Sequence, residues 1–275
     1  MAYDNILYEQ VADRVVRITL NRPQKMNALS HGVIADLEAG LAAAERDPEV
    51  HVIVLAGAGR AFCAGYDLKG SPYISYPPGF ESLEHWTAEA ALKTTRRIEE
   101  LYRRVWDAQK PIIASIHGYC LAGGLYLSML CDLALAAEDA QLGEPMLRFG
   151  GASSMPLWVL YLGPRKAFEL LYLGRAISGR EAAQINLVNR AVPPEQLEAE
   201  TLRWAQEIAE APREALMSRK EFLRASMAMF GLEAMFRYHG HMNAMSRLER
   251  GGGNRMLENL ESGKGKGLEG RHQSV

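Results

Sequence analysis

The chain has 275 residues, of which 48% are hydrophobic, so it is long and apolar enough to bury a large core. Its 31 lysines and arginines nearly balance its 33 aspartates and glutamates, which argues against a dedicated nucleic-acid-binding protein. No apolar run approaches the ~20 residues that a membrane-spanning helix needs, so no membrane span is expected.

The first part of the chain predicts strands that alternate with a helix. Two β-rich runs, Ile6–Val11 and Val15–Leu20, flank a short turn and predict a hairpin. Ser30 has the side chain of a helix N-cap, and the apolar residues after it recur at helical spacing. His51–Ala56 is typical of a buried parallel strand, and segment 57–70, rich in glycine and alanine, predicts a loop.

The remainder predicts further strands and then helices. Segment 71–82 contains three prolines and is expected to be irregular, whereas 84–107 has a helical pattern. From residue 154 onward the pattern is almost entirely helical. We therefore predict an α/β core with a C-terminal helical layer. Between these segments lie a strand, a small-residue turn, a helix and a strand: Ile112–Ile116, Gly118–Gly124, 124–131 and Leu133–Ala137.

The cysteines and histidines give no sign of a metal site. Cys63, Cys120 and Cys131 form no CxxC pair, so we expect three buried free thiols in a reducing compartment. His239 and His241 are two residues apart in a helical run and make a poor metal pair, and we predict no metal. The N-terminus lacks the pattern of a signal peptide, which favours the cytoplasm.

Two loops carry the strongest functional pattern. The first is Arg60–Leu68 (RAFCAGYDL) and the second is Gly118–Gly124 (GYCLAGG), and each follows a buried apolar run. Small residues let a ligand approach the backbone, so one peptide N–H from each loop can point at a single oxygen. Two such donors form an oxyanion hole, worth about 2.7–4 kcal/mol per donor. On glycine content alone, however, either loop is more commonly a tight turn after a core strand.

The two loops resemble the signature of the enoyl-CoA hydratase/isomerase (crotonase) superfamily, and further segments resemble it in the same order along the chain. The resemblance implies a crotonase-like spiral of ββα turns over residues 1–195, a helical trimerisation region over 196–262 and a flexible tail over 263–275. It also implies an acyl-coenzyme A substrate, no separate cofactor, and a homotrimer or hexamer. The matching segments are Val16–Leu29, Ala61–Leu68, Pro111–Asp132, Leu162–Val192 and Ala211–Phe222.

The resemblance also assigns residues to the site. The thioester oxygen would accept hydrogen bonds from the backbone N–H groups of Tyr66 and Gly123. The adenine and phosphate end would lie near two lysines, which are equally well explained as solvated surface residues, although cations suit the coenzyme's phosphates. Asp67 has a simpler alternative role as an acceptor for loop amides. The resemblance implies a substrate-binding role for Lys25, Ala28, Ala64, Asp67, Leu68 and Lys69.

The sequence departs from the hydratase pattern at both of its glutamates. The resemblance places Tyr126 at the first position and Met146, within Gly143-Glu144-Pro145-Met146, at the second. An ordinary tyrosine has a pKa of ~10 and methionine does not titrate, so neither replaces a general base near neutral pH. General acid–base catalysis is worth roughly 10²–10⁴-fold, and we therefore expect little ordinary hydratase activity.

Five residues at or near these positions remain as candidates. Glu144 could supply a displaced carboxylate, or its side chain could point away and be structural. Tyr126 could donate a hydrogen bond to substrate or water, or simply pack. Some isomerases and dehalogenases of the family carry an aspartate where this chain has Ser153 or Ser154. Ser153 and Ser154 could contact the acyl group, or Ser154 could cap the next helix, and Met146 is assigned to the substrate-binding set.

Three functions follow from these patterns. The first is an enzyme that stabilises an enolate or oxyanion, with lyase or isomerase chemistry on a bulky enoyl-CoA. Four aromatic residues in segment 71–92 motivate the bulky acyl group: Tyr73, Tyr76, Phe80 and Trp86. The second is a non-catalytic acyl-CoA-binding protein, favoured by the missing carboxylates. The third, a scaffold without a ligand, leaves the two glycine loops unexplained.

Overall fold

The computed structural model describes residues 3–67, 96, 99–149, 155 and 157–248. These residues form eight α-helices, and three short 3₁₀ helices at Pro23–Lys25, Pro145–Phe149 and Pro194–Gln196. The α-helices are α1 (His31–Arg46), α2 (residues 99–106), α3 (Gly123–Leu130), α4 (Leu157–Leu173), α5 (Gly179–Gln184), α6 (Leu197–Ala209), α7 (Arg213–Ala228) and α8 (Leu232–Leu248).

Ten strands form two sheets in the described part of the chain. The larger sheet has the order β1-β2-β3-β5-β7-β10 and the smaller has the order β4-β6-β8-β9. The strands are β1 (Ile6–Ala12), β2 (Val15–Leu20), β3 (Val52–Gly57), β4 (Ala61–Cys63), β5 (Ile112–Ile116), β6 (Tyr119–Leu121), β7 (Leu133–Ala137), β8 (Gln141–Gly143), β9 (Ala176–Ser178) and β10 (Arg190–Val192).

The chain alternates between the two sheets. The hairpin β1–β2 is antiparallel, with Ile6 opposite Leu20, and the larger sheet is parallel from β2 onward. Each of β3, β5 and β7 is followed directly by a strand of the smaller sheet, and helices return the chain to the larger sheet. This repetition of two strands and a helix confirms the predicted crotonase-like α/β fold.

Apolar burial explains the main elements of the larger sheet. All five residues of β5 are buried, as expected for a parallel strand covered on both faces. Helix α1 begins where predicted, because the Ser30 hydroxyl accepts a hydrogen bond from the Val33 amide at 3.3 Å. Its residues Leu37 and Leu41 are fully buried. In the described ranges, no helix combines the length and the apolar character that crossing a membrane requires.

Several short strands differ from the sequence-based expectation. Strand β4 lies in the segment predicted as a loop, and β6 lies in the predicted turn. The prediction of an almost entirely helical region after residue 154 is wrong at β9 and β10. Each of these strands has three residues, too few to show a period of two, and each forms because a neighbouring strand supplies the partner.

The C-terminal helices are attached to the core at defined places. Helix α6 packs against β3, β5 and β7. The ammonium group of the buried Lys220, on α7, donates to Asp132 at 2.5 Å and to the carbonyl of Lys110 at 2.7 Å. The three cysteines are free and buried, as predicted. The boundaries at 195/196 and 262/263 stay predictions, and the tail lies outside the described residues.

Candidate active site

The two glycine-containing loops lie side by side because they leave neighbouring strands. Strands β4 and β6 are parallel, and their last pair joins Cys63 to Cys120. Tyr66 and Gly123 each lie three residues beyond that pair. The backbone of Gly65 has φ +102°, and a Cβ built on it would lie 3.5 Å from the Gly123 nitrogen. The loops are therefore in contact where the sequence predicts two converging amides.

Gly123 begins α3, and the first amide of a helix has no acceptor within that helix. The preceding residue, Ala122, turns the chain with φ 46° and ψ −118°, and its amide donates to the Gly143 carbonyl at 2.9 Å. A Cβ on Gly124 would lie 2.6 Å from the Cβ of Cys63. The second loop thus brings the positive end of α3 close against β4.

Backbone and ionic contacts hold the first loop from the other side. Leu29 donates its amide to the Gly65 carbonyl at 2.7 Å and accepts from the Asp67 amide at 3.0 Å. The guanidinium of Arg22 donates to the Asp67 carboxylate at 3.0 Å and to the Ala28 carbonyl at 3.1 Å. The Asp67 carboxylate is therefore part of an ion pair that ties the loop to the segment around Arg22.

The remaining predicted substrate-binding residues are only partly brought together. The Ala64 amide donates to the Met26 carbonyl at 3.0 Å, which attaches the loop to the residue after Lys25. Lys25 is exposed on the first 3₁₀ helix, and Met146 is half-buried on the second. Several sequence-based candidates lie outside the described residues: Leu68, Lys69, Tyr73, Tyr76, Phe80, Trp86, Ser153 and Ser154.

Three tyrosines line the junction of the two loops. The ring of Tyr66 lies against Gly123, since a Cβ there would be 2.8–3.0 Å from ring carbons. The hydroxyls of Tyr66 and Tyr102 are hydrogen-bonded to each other, and Tyr102 also donates to the Gly123 carbonyl at 3.4 Å. The rings of Tyr102 and Tyr126 meet edge to face with centroids 6.3 Å apart. An aromatic side chain thus occupies space beside the second amide.

Tyr102 was missed by the sequence analysis. It is 1% exposed on α2, and burial raises the pKa of its hydroxyl well above the ordinary value. Its neighbours Leu101 and Val105 are also buried, so the pattern is that of a core helix. Only the contacts with Tyr66 and Gly123 distinguish it from a packing residue.

Glu144 and Tyr126 are brought together in the structure. The Glu144 side chain is buried, its Oε1 accepts from the Met146 amide at 3.0 Å, and the Tyr126 hydroxyl donates to the same carboxyl group. Its Oε2 is buried and has no hydrogen-bond partner among the residues that the structure describes. The sequence left open whether the Glu144 side chain points into the site or away from it. In the structure the side chain is directed at Tyr126.

Burial raises the pKa of Glu144 from 4.5 to about 7, although the hydrogen bonds from Tyr126 and Met146 act in the opposite direction. Both protonation states are therefore populated near neutral pH, as a general acid or base requires. Tyr126 lies about one turn after Gly123 on α3, so the two residues are on the same face of the helix. The contact between Tyr126 and Glu144 therefore lies near the second loop.

Comparison with known proteins agrees with the fold and the paired loops. The family model for enoyl-CoA hydratase/isomerase matches residues 10–246. The chain therefore belongs to the enoyl-CoA hydratase/isomerase family.

Individual relatives cover most of the chain. A probable enoyl-CoA hydratase of Rhizobium meliloti (strain 1021) is 35% identical over 234 residues, covering 83% of this chain and 84% of the relative. A mitochondrial enoyl-CoA hydratase of Pongo abelii is 34% identical over 217 residues, covering 77% of this chain and 69% of the relative. The crystal structure of an enoyl-CoA hydratase/isomerase from Xanthobacter autotrophicus Py2 has a TM-score of 0.84 and 32% identity, and the alignment covers 98% of this chain and 96% of that one.

Proposed function

We propose that the protein is an enzyme acting on acyl-CoA thioesters, with the amides of Tyr66 and Gly123 as an oxyanion hole. The observation that carries this proposal is the contact between the two loops beyond the last pair of β4 and β6. Donors fixed in place before the reaction stabilise charge that develops on the thioester oxygen, without a cost of reorganisation. Coenzyme A is part of the substrate, and no other cofactor is proposed.

The proposed acid–base group is Glu144, assisted by Tyr126. The carboxylate removes a proton from a carbon of the acyl chain, and the electron pair of that C–H bond moves through the conjugated system to the thioester oxygen. Return of the proton to a different carbon completes an isomerisation. The buried Oε2, which has no hydrogen-bond partner in the part of the chain that the structure describes, supports this role, because it is the carboxyl oxygen left available for a substrate or water proton.

Further parts of the proposal concern the ligand and the assembly. We assign the coenzyme's phosphates to Lys25 and Lys69, and a bulky enoyl group to the acyl pocket. We also propose that the protein forms a homotrimer or hexamer and is located in the cytoplasm. The second candidate function is acyl-CoA binding without turnover, favoured by the lack of a carboxylate at Tyr126 and Met146, where the resemblance places the two hydratase glutamates.

The test is a mass-spectrometric screen of short and bulky enoyl-CoA thioesters with the wild type and Glu144→Gln. We expect Glu144→Gln to lower turnover roughly 10²–10⁴-fold, while titration calorimetry shows binding intact. Glu207→Gln, at an exposed site on α6, is the matched control and should leave turnover unchanged. Binding without turnover by the wild type would favour the second function. Unchanged turnover in Glu144→Gln would remove this residue from the mechanism, and no binding at all would refute the proposed function.

A further inference from the structure

The backbone pairing between β4 and β6 brings the two loops together, but it ends before the two proposed donors. The ladder between β4 and β6 ends at Cys63 and Cys120, three residues before Tyr66 and Gly123. The carbonyl of Gly123 and the hydroxyl of Tyr66 both contact the Tyr102 hydroxyl. One atom of α2 thus bridges the two residues whose amides form the proposed hole.

We propose that Tyr102 is a positioning residue, whose hydroxyl holds Tyr66 and Gly123 in the arrangement that the oxyanion hole requires. This inference rests on the proposed function, because it assigns a task within the same site. Tyr102 lies behind the two donor residues and acts through them, so it is distinct from a catalytic residue.

The hydrogen-bond directions are consistent with this role. A phenol has one proton to donate and a carbonyl can only accept, so both contacts form at once when Tyr102 donates to the Gly123 carbonyl and Tyr66 donates to Tyr102. Tyr102 is 1% exposed, so bulk water has little access to compete for these contacts. The same contacts keep the Tyr66 ring against Gly123. Loss of the hydroxyl removes one contact of the Tyr66 side chain and one constraint on the start of α3 together.

The test measures the polarisation of the thioester carbonyl and needs no turnover. Cinnamoyl-CoA labelled with ¹³C at the thioester carbonyl is bound to the protein, and its carbonyl stretch is recorded by difference infrared spectroscopy. Two well-placed donors weaken the C=O bond, so the band of the wild-type complex should lie at lower frequency than that of free cinnamoyl-CoA. In Tyr102→Phe we expect the band to return most of the way to the free frequency, while the dissociation constant changes little because Tyr102 is buried and acts through Tyr66 and Gly123.

Tyr161→Phe is the matched control. Tyr161 also has a buried hydroxyl that donates to a backbone carbonyl, that of Met129 at 2.6 Å, but at the other end of α3. This variant should keep the wild-type band, which separates positioning of the hole from a general loss of rigidity in the helix.

Tyr66→Phe provides a second test should Tyr102→Phe not fold, because it breaks the hydroxyl pair and leaves the Tyr102–Gly123 contact. We expect a smaller return of the band toward the free frequency. A band that stays at the wild-type position in the folded variants overturns the inference and leaves the proposed function standing. Absence of binding or of any displacement in the wild type refutes the proposed function itself.

Discussion

Glu144 shows how burial changes the behaviour of a single carboxyl group. Its protonated form fits the apolar surroundings, whereas its charged form loses solvation that only two hydrogen bonds replace. The pKa is therefore above the unfolded value of 4.5, and the folded protein retains a proton that the unfolded chain has released. This difference connects the proposed catalytic group to the stability of the whole protein.

Stability should consequently fall as pH rises through this range. Below 4.5 both states are protonated and Glu144 adds no pH dependence, whereas between 4.5 and about 7 the folded state binds more protons, so the free energy of unfolding decreases with pH. A pKa displaced from 4.5 to about 7 corresponds to about 3 kcal/mol. Denaturant unfolding followed across this window should show that Glu144→Gln removes this part of the slope.

Tyr126→Phe is the second variant, and it should change the pH dependence of stability in the opposite sense to Glu144→Gln. The Tyr126 hydrogen bond lowers the pKa of Glu144, so its loss should raise that pKa and extend the decline in stability to higher pH. A pH slope that is the same in the wild type, Glu144→Gln and Tyr126→Phe would contradict the assigned cause.

At this scale the sequence predicts some of the site and misses the rest for identifiable reasons. The contact between the loops of Tyr66 and Gly123 was predictable because the resemblance fixes the positions of both loops along the chain. The direction of the Glu144 side chain was not, since it depends on the turn at Met146 and on Tyr126, which lies on another element. Tyr102 gave no signal, because a buried tyrosine in an apolar helix pattern resembles any packing residue.

Among the elements, long apolar strands were predictable and short ones were not. Strands β2, β3 and β5 were recognised because their own residues are apolar and buried. Strands β4 and β6, which position the two loops, have three residues each and form through mutual pairing. The sequence therefore predicted a ligand site at these loops, which stays a prediction, without showing the small sheet that places the loops side by side.

Helix α7 provides the prediction at this scale, because the buried Lys220 ammonium group docks it onto the core through a partly exposed Asp132 carboxylate. Lys220 is 7% exposed and bonds both Asp132 and the Lys110 carbonyl. Lys220→Met leaves the Asp132 carboxylate with the Ile112 amide, at 2.7 Å, and with its solvent contact in place of the Lys220 cation. We expect the free energy of unfolding to fall by about 2 kcal/mol, measured by denaturant unfolding, because the charge-assisted hydrogen bonds of a buried ammonium group are lost.

A matched substitution tests whether burial is responsible. Lys166 bonds Glu169 at 2.6 Å one turn along α4, with both side chains more than a third exposed. Lys166→Met removes the same type of charge from a solvated pair and should change stability little. Equal losses in the two variants would show that the buried geometry of Lys220 contributes nothing special.

At the scale of the whole molecule, the C-terminal helices expose large apolar side chains. Phe222 and Leu223 on α7, Met229 and Phe230 after it, and Tyr238 on α8 are each more than half exposed. Exposed apolar residues are ordinary when scattered, but this concentration in one region of the chain is typical of an association surface. It supports the proposal that these helices form the contacts of a homotrimer or hexamer.

Changing one of these side chains should alter the assembly and leave the fold intact. Phe222 is 71% exposed, so Phe222→Lys costs the folded chain little but places a charge in the proposed interface, where it would have to be desolvated. Size-exclusion chromatography with light scattering should give a trimer or hexamer for the wild type and a lower mass for Phe222→Lys. Leu7→Lys, at a 41%-exposed site on β1, introduces the same charge away from these helices and should retain the wild-type mass. A monomeric wild type, or a Phe222→Lys variant with unchanged mass, would count against these helices as the interface, and the exposed side chains would then need a different partner.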